Sequence, residues 1–147
     1  TCGGRFAKAP VHEGGQALMD VSALSRIAME RARTAREAVS IMGSLAEEFG
    51  FYGSEWKGEL ALGEAGEHLS VGGPNEAWVF HIHPDSTGTS AVWAAQRVPD
   101  GEVAICANQF IIGEVNVSDS GNFLASANLE SEAKLLGWDG QGLVSWK

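Results

Sequence analysis

The hydrophobic positions of Glu76–Ile112 predict three strands joined by two tight connections. In the first run large apolar residues alternate with small ones, while the second, Val92–Ala95, and the third, Val103–Ala107, are apolar throughout. Strands without a polar face lie in a sheet that is covered on both sides. The connections at 84–89 and 99–101 contain the Pro, Asp and Gly residues that tight turns use. We therefore expect an antiparallel sheet with further layers on both faces.

Helical periodicity precedes this sheet. Asp20 or Ser22 is expected to cap a helix that ends near Ala32. A second helix begins at Thr34–Glu37, a capping box in which the Thr hydroxyl binds the Glu37 N–H and the Glu37 carboxylate reaches back. Gly50 is placed to end it. The inner positions of this second helix recur at helical spacing and are Ala38, Ile41, Met42, Leu45 and Phe49. The pattern predicts a helical hairpin that packs on the sheet.

The remaining segments complete an α+β fold. Glu67–Val71 is predicted to be a strand that turns into the central three, and Ala127–Leu136 is predicted to be a third helix capped by Ser126 or Asn128. We interpret 51–66 as a lid-like loop and 113–122 as a polar loop. The 147 residues form either a single domain or a fragment of a larger domain.

Composition narrows the class of protein. The chain is 44% hydrophobic and 20% charged, which is typical of a globular domain. Its net charge of −9 argues against nucleic acid and against an anionic membrane surface, because both require a basic patch. No stretch resembles a membrane span or a signal peptide. Two cysteines do not make a disulfide framework, so a reducing, cytoplasmic location is favoured.

Two features of the sequence suggest chemistry, and each has a simpler explanation. His81 and His83 lie two apart on a strand and so point the same way, and Asp85 could add an oxygen ligand for a metal ion. No third ligand stands at a recognisable spacing, and the histidines could instead only mark the end of the strand. Thr1 has a free α-amine and could be both nucleophile and base, or it could be merely where the chain was cut.

Strand ends supply two further candidates. Asn108 and Arg97 end neighbouring apolar runs, which is where site residues are common. Asn108 could donate to a developing oxyanion, although both side chains could instead only satisfy backbone groups. Cys106 is expected to be a small buried hydrophobe. Trp78 and Trp93 lie within apolar runs and are interpreted as core residues rather than a carbohydrate platform.

Several phrases of the sequence resemble consecutive blocks of the cysteine dipeptidase family that includes dipeptidase A and the secernins. They are, in order, TCGGRF, LMDVSALSRIAMERARTAREAVSIMGSLAEEFGFYG, EAWVFHIHPD, SAVWAAQRVPDGEVAICANQFII and GNFLASANLESEAKLLGW. The resemblance implies an N-terminal nucleophile fold, a four-layer αββα sandwich, of which this chain would be a part. It also implies hydrolysis of dipeptides by an amino-terminal Cys, with no metal or organic cofactor.

The resemblance also has a limit. In that family the nucleophilic Cys stands well before these blocks, so Cys2 does not match it. We expect the chain to be an internal portion, inactive alone, that could associate with itself through uncovered apolar surface. Asn108 resembles the strand-end Asn that related amidases use near the scissile bond, whereas Arg97 matches no defined role. The alternative is a non-catalytic, secernin-like interaction protein.

Overall fold

The helical hairpin forms where the sequence predicts it. In a computed structural model that describes residues 11–53, 66–107, 109–136, 139–140 and 143–145, a short 3-10 turn at Val11–Glu13 precedes helix α1, Val21–Arg31. The carboxylate of Asp20 accepts the N–H of Ala23 at 2.7 Å, so Asp20 rather than Ser22 is the cap.

Helix α2 runs over Ala35–Phe49 and has the predicted cap at each end. The Thr34 hydroxyl accepts the N–H of Glu37 at 3.0 Å. The Glu37 carboxylate reaches back as expected, but it accepts the N–H of Arg33 at 2.7 Å, one residue before the cap. Gly50 ends the helix with a φ of 73°, a conformation that favours glycine. The capping box and Gly50 therefore predict where helix α2 begins and ends.

The main sheet is antiparallel and has the strand order β1-β2-β3-β5. Strand β1 is Glu67–Gly72, β2 is Ala77–Pro84, β3 is Ala91–Arg97 and β5 is Phe123–Ala125. The prediction is confirmed for β1 and for the first two central strands. A small second sheet has the order β4-β7-β6 and consists of Glu114–Val115, Leu143–Ser145 and Asp139–Gly140.

The predicted strand at Val103–Ala107 is wrong. After Val98, whose N–H donates to the carbonyl of Ala77 at 2.8 Å, the chain turns at Gly101 and leaves the sheet. The place beside β3 is taken by β5, which the sequence interpretation missed. Val103 and Ile105 are 91% and 79% exposed as a result. Apolar composition indicates a strand only when a partner strand is available, and here β5 occupies that position.

The sheet is covered on both faces, as predicted. The side chains of Trp78, Phe80, Ile82 and Trp93 pack against α1 and α2. On the opposite face Val79, Val92 and Ala94 pack against Ile112, Val115 and the third helix, α3, Leu129–Leu136. The fold is therefore α+β, with the helical hairpin on one face of an antiparallel sheet. Trp78 and Trp93 are core residues, 1% and 5% exposed.

The expected cap of α3 is not formed. The Ser126 hydroxyl instead accepts the N–H of Trp93 at 3.2 Å, and so ties the start of α3 to β3. Among the described residues, Asn128 Oδ1 accepts no hydrogen bond. No described helix has the length and the apolar character of a membrane-spanning segment.

We predict that Gly43→Ala destabilises the protein although Ala is the better helix former. A Cβ at Gly43 would lie inside the van der Waals distance of the Trp93 indole, whose Nε1–H is held by the Glu47 carboxylate at 2.7 Å. We expect a loss of about 1–3 kcal/mol in the free energy of unfolding, typical of an overpacked core. Urea denaturation measures it.

The matched control is Ser44→Ala, the next position of the same helix, where the side chain is exposed. This change should be neutral or slightly stabilising, because only helix propensity is altered. A Gly43→Ala variant as stable as the control would show that the Trp93 ring does not limit this helix.

Candidate functional site

The face of the main sheet opposite the hairpin carries three histidines. Antiparallel pairing sets His68 of β1 beside His81 of β2, and His83 follows two residues later with the same orientation. His81 is fully buried and His83 is 3% exposed, whereas His68 is half-buried. We call these three residues the histidine face. The sequence prediction that His81 and His83 share a side of the strand is confirmed.

His81 is held by the segment that crosses this face. Its ring stacks on Phe110 with centroids 4.6 Å apart and an interplanar angle of 29°. The N–H of Ile111 donates to Nε2 of His81 at 3.4 Å, a long hydrogen bond. The ring of His68 meets His81 edge-on at 6.3 Å. His81 thus fixes Phe110 and Ile111 against the sheet.

Burial keeps these imidazoles neutral. Removal from water, and secondly the nearby His68, lower the pKa of His81 to about 3. Burial also lowers the pKa of His83, against the opposing influence of the Pro84 carbonyl and of nearby carboxylates. Nδ1 of His83 lies 2.7 Å from the Pro84 oxygen and must donate, because a carbonyl can only accept. At neutral pH, His81 is therefore an acceptor and a packing surface rather than a proton donor.

The acidic residues near the end of β2 have structural partners. Asp85 accepts the Thr87 hydroxyl at 2.6 Å and the backbone N–H groups of Gly88 and Ser90 at 2.8 and 3.2 Å. Its carboxylate thereby builds the turn between β2 and β3. Glu132 of α3 accepts both the hydroxyl and the N–H of Ser86, at 2.8 and 3.1 Å. These bonds anchor α3 to the same turn.

The metal hypothesis gains no support from this geometry. His81 already binds the Ile111 N–H, and Asp85 is saturated by its own turn. Within the described ranges, no group of three His, Cys, Asp or Glu residues could hold a metal ion.

The other predicted site residues divide into two groups. Asn108, Thr1 and Cys2 lie outside the described residues, so their predicted roles stay predictions. Arg97 ends β3 as predicted, and its guanidinium pairs with the largely exposed Asp100 at 2.7 Å across the following turn. That bond assigns Arg97 a structural role in the turn.

The prediction that Cys106 lies buried in a strand is wrong. The residue is half-buried and follows the turn outside any described strand. Partial burial nevertheless raises the pKa of its thiol. The reactive thiolate form is therefore disfavoured at this position.

Sequence reasoning missed the residues that cover the histidine face. The His-x-His spacing of β2 predicts a shared face, but nothing in the sequence pairs His81 with Phe110 or Ser86 with Glu132, because these contacts join distant positions. A helical stripe on α3 is the only signal that points to Glu132 as an inward residue.

An antiparallel sheet with a helical hairpin on one face and a covered histidine face on the other defines an α+β protein. Residues 6–140 match the family model described as Peptidase family C69. The match covers most of the chain, and the protein belongs to this peptidase family. The resemblance to the cysteine dipeptidases is thereby confirmed at the level of the family.

We predict that His81 stays neutral in the folded protein to about pH 3 because it is buried, whereas in the unfolded chain it titrates near 6.5. Between these values the unfolded state binds a proton that the folded state does not. Stability therefore falls as the pH falls through this window, by up to about 1.4 kcal/mol per pH unit from this residue.

NMR titration of the His81 ring measures the folded pKa directly, and a midpoint near 6.5 would contradict the prediction. Urea denaturation at pH 7, 6 and 5 measures the linkage. His81→Phe preserves the stacking on Phe110 and should reduce the dependence of stability on pH, leaving the part that comes from His83, whose pKa burial also lowers.

Proposed function

We propose that this protein hydrolyses the amide bond of dipeptides through the thiol of an amino-terminal Cys that is not among these 147 residues. The observation that carries the proposal is the match to Peptidase family C69 over residues 6–140. The resemblance of the sequence blocks to cysteine dipeptidases narrows the substrate from peptides in general to dipeptides.

The two cysteines of this chain are poor candidates for the nucleophile. The attacking species must be a thiolate, and burial raises the pKa of the Cys106 thiol. Cys2 follows Thr1, so its nitrogen lies in a peptide bond and cannot act as the base for its own thiol. The proposal therefore assigns the reaction to a third cysteine at a processed amino terminus.

In the proposed reaction the free α-amine of that Cys takes the proton of its thiol. The sulfur then attacks the substrate carbonyl, a C–S bond forms and the amide C–N bond breaks. The proton passes from the ammonium group to the leaving amine, and water hydrolyses the thioester. Asn108 is proposed to donate a hydrogen bond to the oxyanion that develops on the carbonyl oxygen.

The role proposed for Asn108 rests on its resemblance to the strand-end Asn that related amidases use near the scissile bond. Phe110 and Ile111 follow Asn108 by two and three residues, and both are held on the sheet by His81.

A second candidate is a non-catalytic interaction protein with the same fold. The observation that favours it is the exposure of Val103 and Ile105, since large apolar side chains on a surface are common at protein contacts. The same surface would account for self-association. The two candidates differ in whether the full-length protein cleaves a dipeptide.

We predict that the full-length protein cleaves dipeptides and that alkylation of its thiols abolishes cleavage. We also predict that Asn108→Ala lowers kcat by about 10²–10³, as the loss of one oxyanion donor does. Amino-acid release measures the rate, and thermal denaturation should show an unchanged melting temperature.

Asn75→Ala, in the exposed turn before β2, is the matched control and should leave the rate unchanged. Full activity of Asn108→Ala would remove Asn108 from the site. A folded full-length protein with no activity on any dipeptide, and with a mature amino terminus other than Cys, Ser or Thr, would favour the interaction protein.

A further inference from the structure

An open cavity of about 230 Å³ lies where β2 begins and β3 ends, at the edge from which the chain leaves the sheet. Its floor is formed by Val79 and Gln96, which face each other in the β2–β3 register. Ile111, the residue whose N–H binds His81, forms another wall. The cavity therefore belongs to the same side of the sheet as the histidine face.

The size of the cavity limits what it can hold. Pockets for drug-sized molecules occupy roughly 300–1,000 Å³. A space of about 230 Å³ is smaller and suits a ligand of one or two amino-acid residues. Its lip includes Val103 and Ile105, whose exposed apolar side chains a ligand side chain could cover. The walls therefore favour a small ligand with an apolar part.

Gln96 supplies a polar group at the floor. It is half-buried and follows Val92 and Ala94 on the inward-facing positions of β3. Its side chain makes no hydrogen bond with any other residue that the structure describes. A carboxamide has both donors and an acceptor, so it can bind a peptide group in either direction.

The cavity lining contains one carboxylate, that of Glu102, and one guanidinium, that of Arg97. Glu102 lines the cavity and is exposed. The guanidinium of Arg97 also lines the cavity, and it pairs with the carboxylate of Asp100 at 2.7 Å. Because Asp100 balances the charge of Arg97, the carboxylate of Glu102 is the group in the lining that attracts a cationic group.

We propose that this cavity binds the amino-terminal residue of a dipeptide, with Glu102 binding its α-ammonium group and Gln96 its peptide group, an assignment that rests on the proposed dipeptidase function. The apolar walls receive the side chain of that residue. The site selects peptides with a free amino terminus, since an acylated nitrogen carries no charge for Glu102 to bind.

The test compares a free dipeptide with its N-acetyl derivative on the full-length protein. Glu102→Gln should raise KM for the free dipeptide by up to about five-fold, the scale of an exposed ion pair, and leave the N-acetyl form unchanged. Gln96→Ala should raise KM for both by about three- to ten-fold, as the loss of a neutral hydrogen bond does.

A third variant fills the cavity without disturbing the core. Ala104 is exposed and lines the cavity, so Ala104→Trp should raise KM for both substrates more than ten-fold. The matched control is Ala127→Trp, because Ala127 is also exposed but lines a different cavity of about 350 Å³ beside β5. This control should behave like the wild-type protein.

A direct binding measurement tests the cavity assignment separately from the proposed peptidase function. Methyl NMR should show that the free dipeptide shifts the signals of Val79 and Ile111, and that Glu102→Gln weakens the binding. Cleavage with an unchanged KM in all three variants would overturn the cavity assignment and leave the peptidase function standing. Glu102-dependent binding without cleavage would support the cavity and overturn the function.

Discussion

Strand β2 is buried on both sides, and the rest of the structure depends on this constraint. Its alternating side chains divide the two faces: Trp78, Phe80 and Ile82 hold the helical hairpin, while Val79, His81 and His83 face the opposite layer. Because the period of a strand is two, a shift of one residue in its pairing would exchange these sets. Imidazoles would then meet the apolar hairpin, and indole and phenyl rings would meet α3. The hydrophobic pattern of a single strand therefore fixes both layers together.

A buried imidazole at the centre of such a strand has a cost and a benefit. Desolvation disfavours its charged form strongly, which is why the pKa of His81 is about 3. An aliphatic residue would avoid that cost but could not accept the N–H of Ile111, and a buried donor left unpaired costs about 1–3 kcal/mol. A carboxylate could accept the same bond but would bring a charge into the interface. Neutral His81 accepts the N–H of Ile111 without adding a charge to a layer that already holds the buried carboxylates of Asp85 and Glu132.

The sequence predicts the local parts of this architecture and fails where partners are distant. Asp20, Thr34 and Gly50 act within one helical turn, so their roles follow from spacing alone. The strand expected at Val103–Ala107 fails because a strand is defined by its neighbour, and the three-residue β5 occupies that place with little signal of its own. The same holds for the candidate site. The His-x-His spacing predicts that His81 and His83 share a face of the strand, but it does not predict the contact of His81 with Phe110.

The described residues also suggest how the work of a peptidase is divided along its chain. His81 is neutral and committed to a backbone N–H, and the Cys106 thiol is held in its protonated form. Neither group is suited to transfer protons or to attack a carbonyl near pH 7. What the cavity beside β2 and β3 offers instead is a floor that contains the amide of Gln96 and a rim that carries the carboxylate of Glu102. In the proposed function, a floor without a carboxylate does not repel the carboxylate of a dipeptide, and Glu102 attracts its ammonium group. Under the same proposal, binding and orientation are assigned to this cavity, and bond breaking is assigned to the thiolate of the amino-terminal Cys.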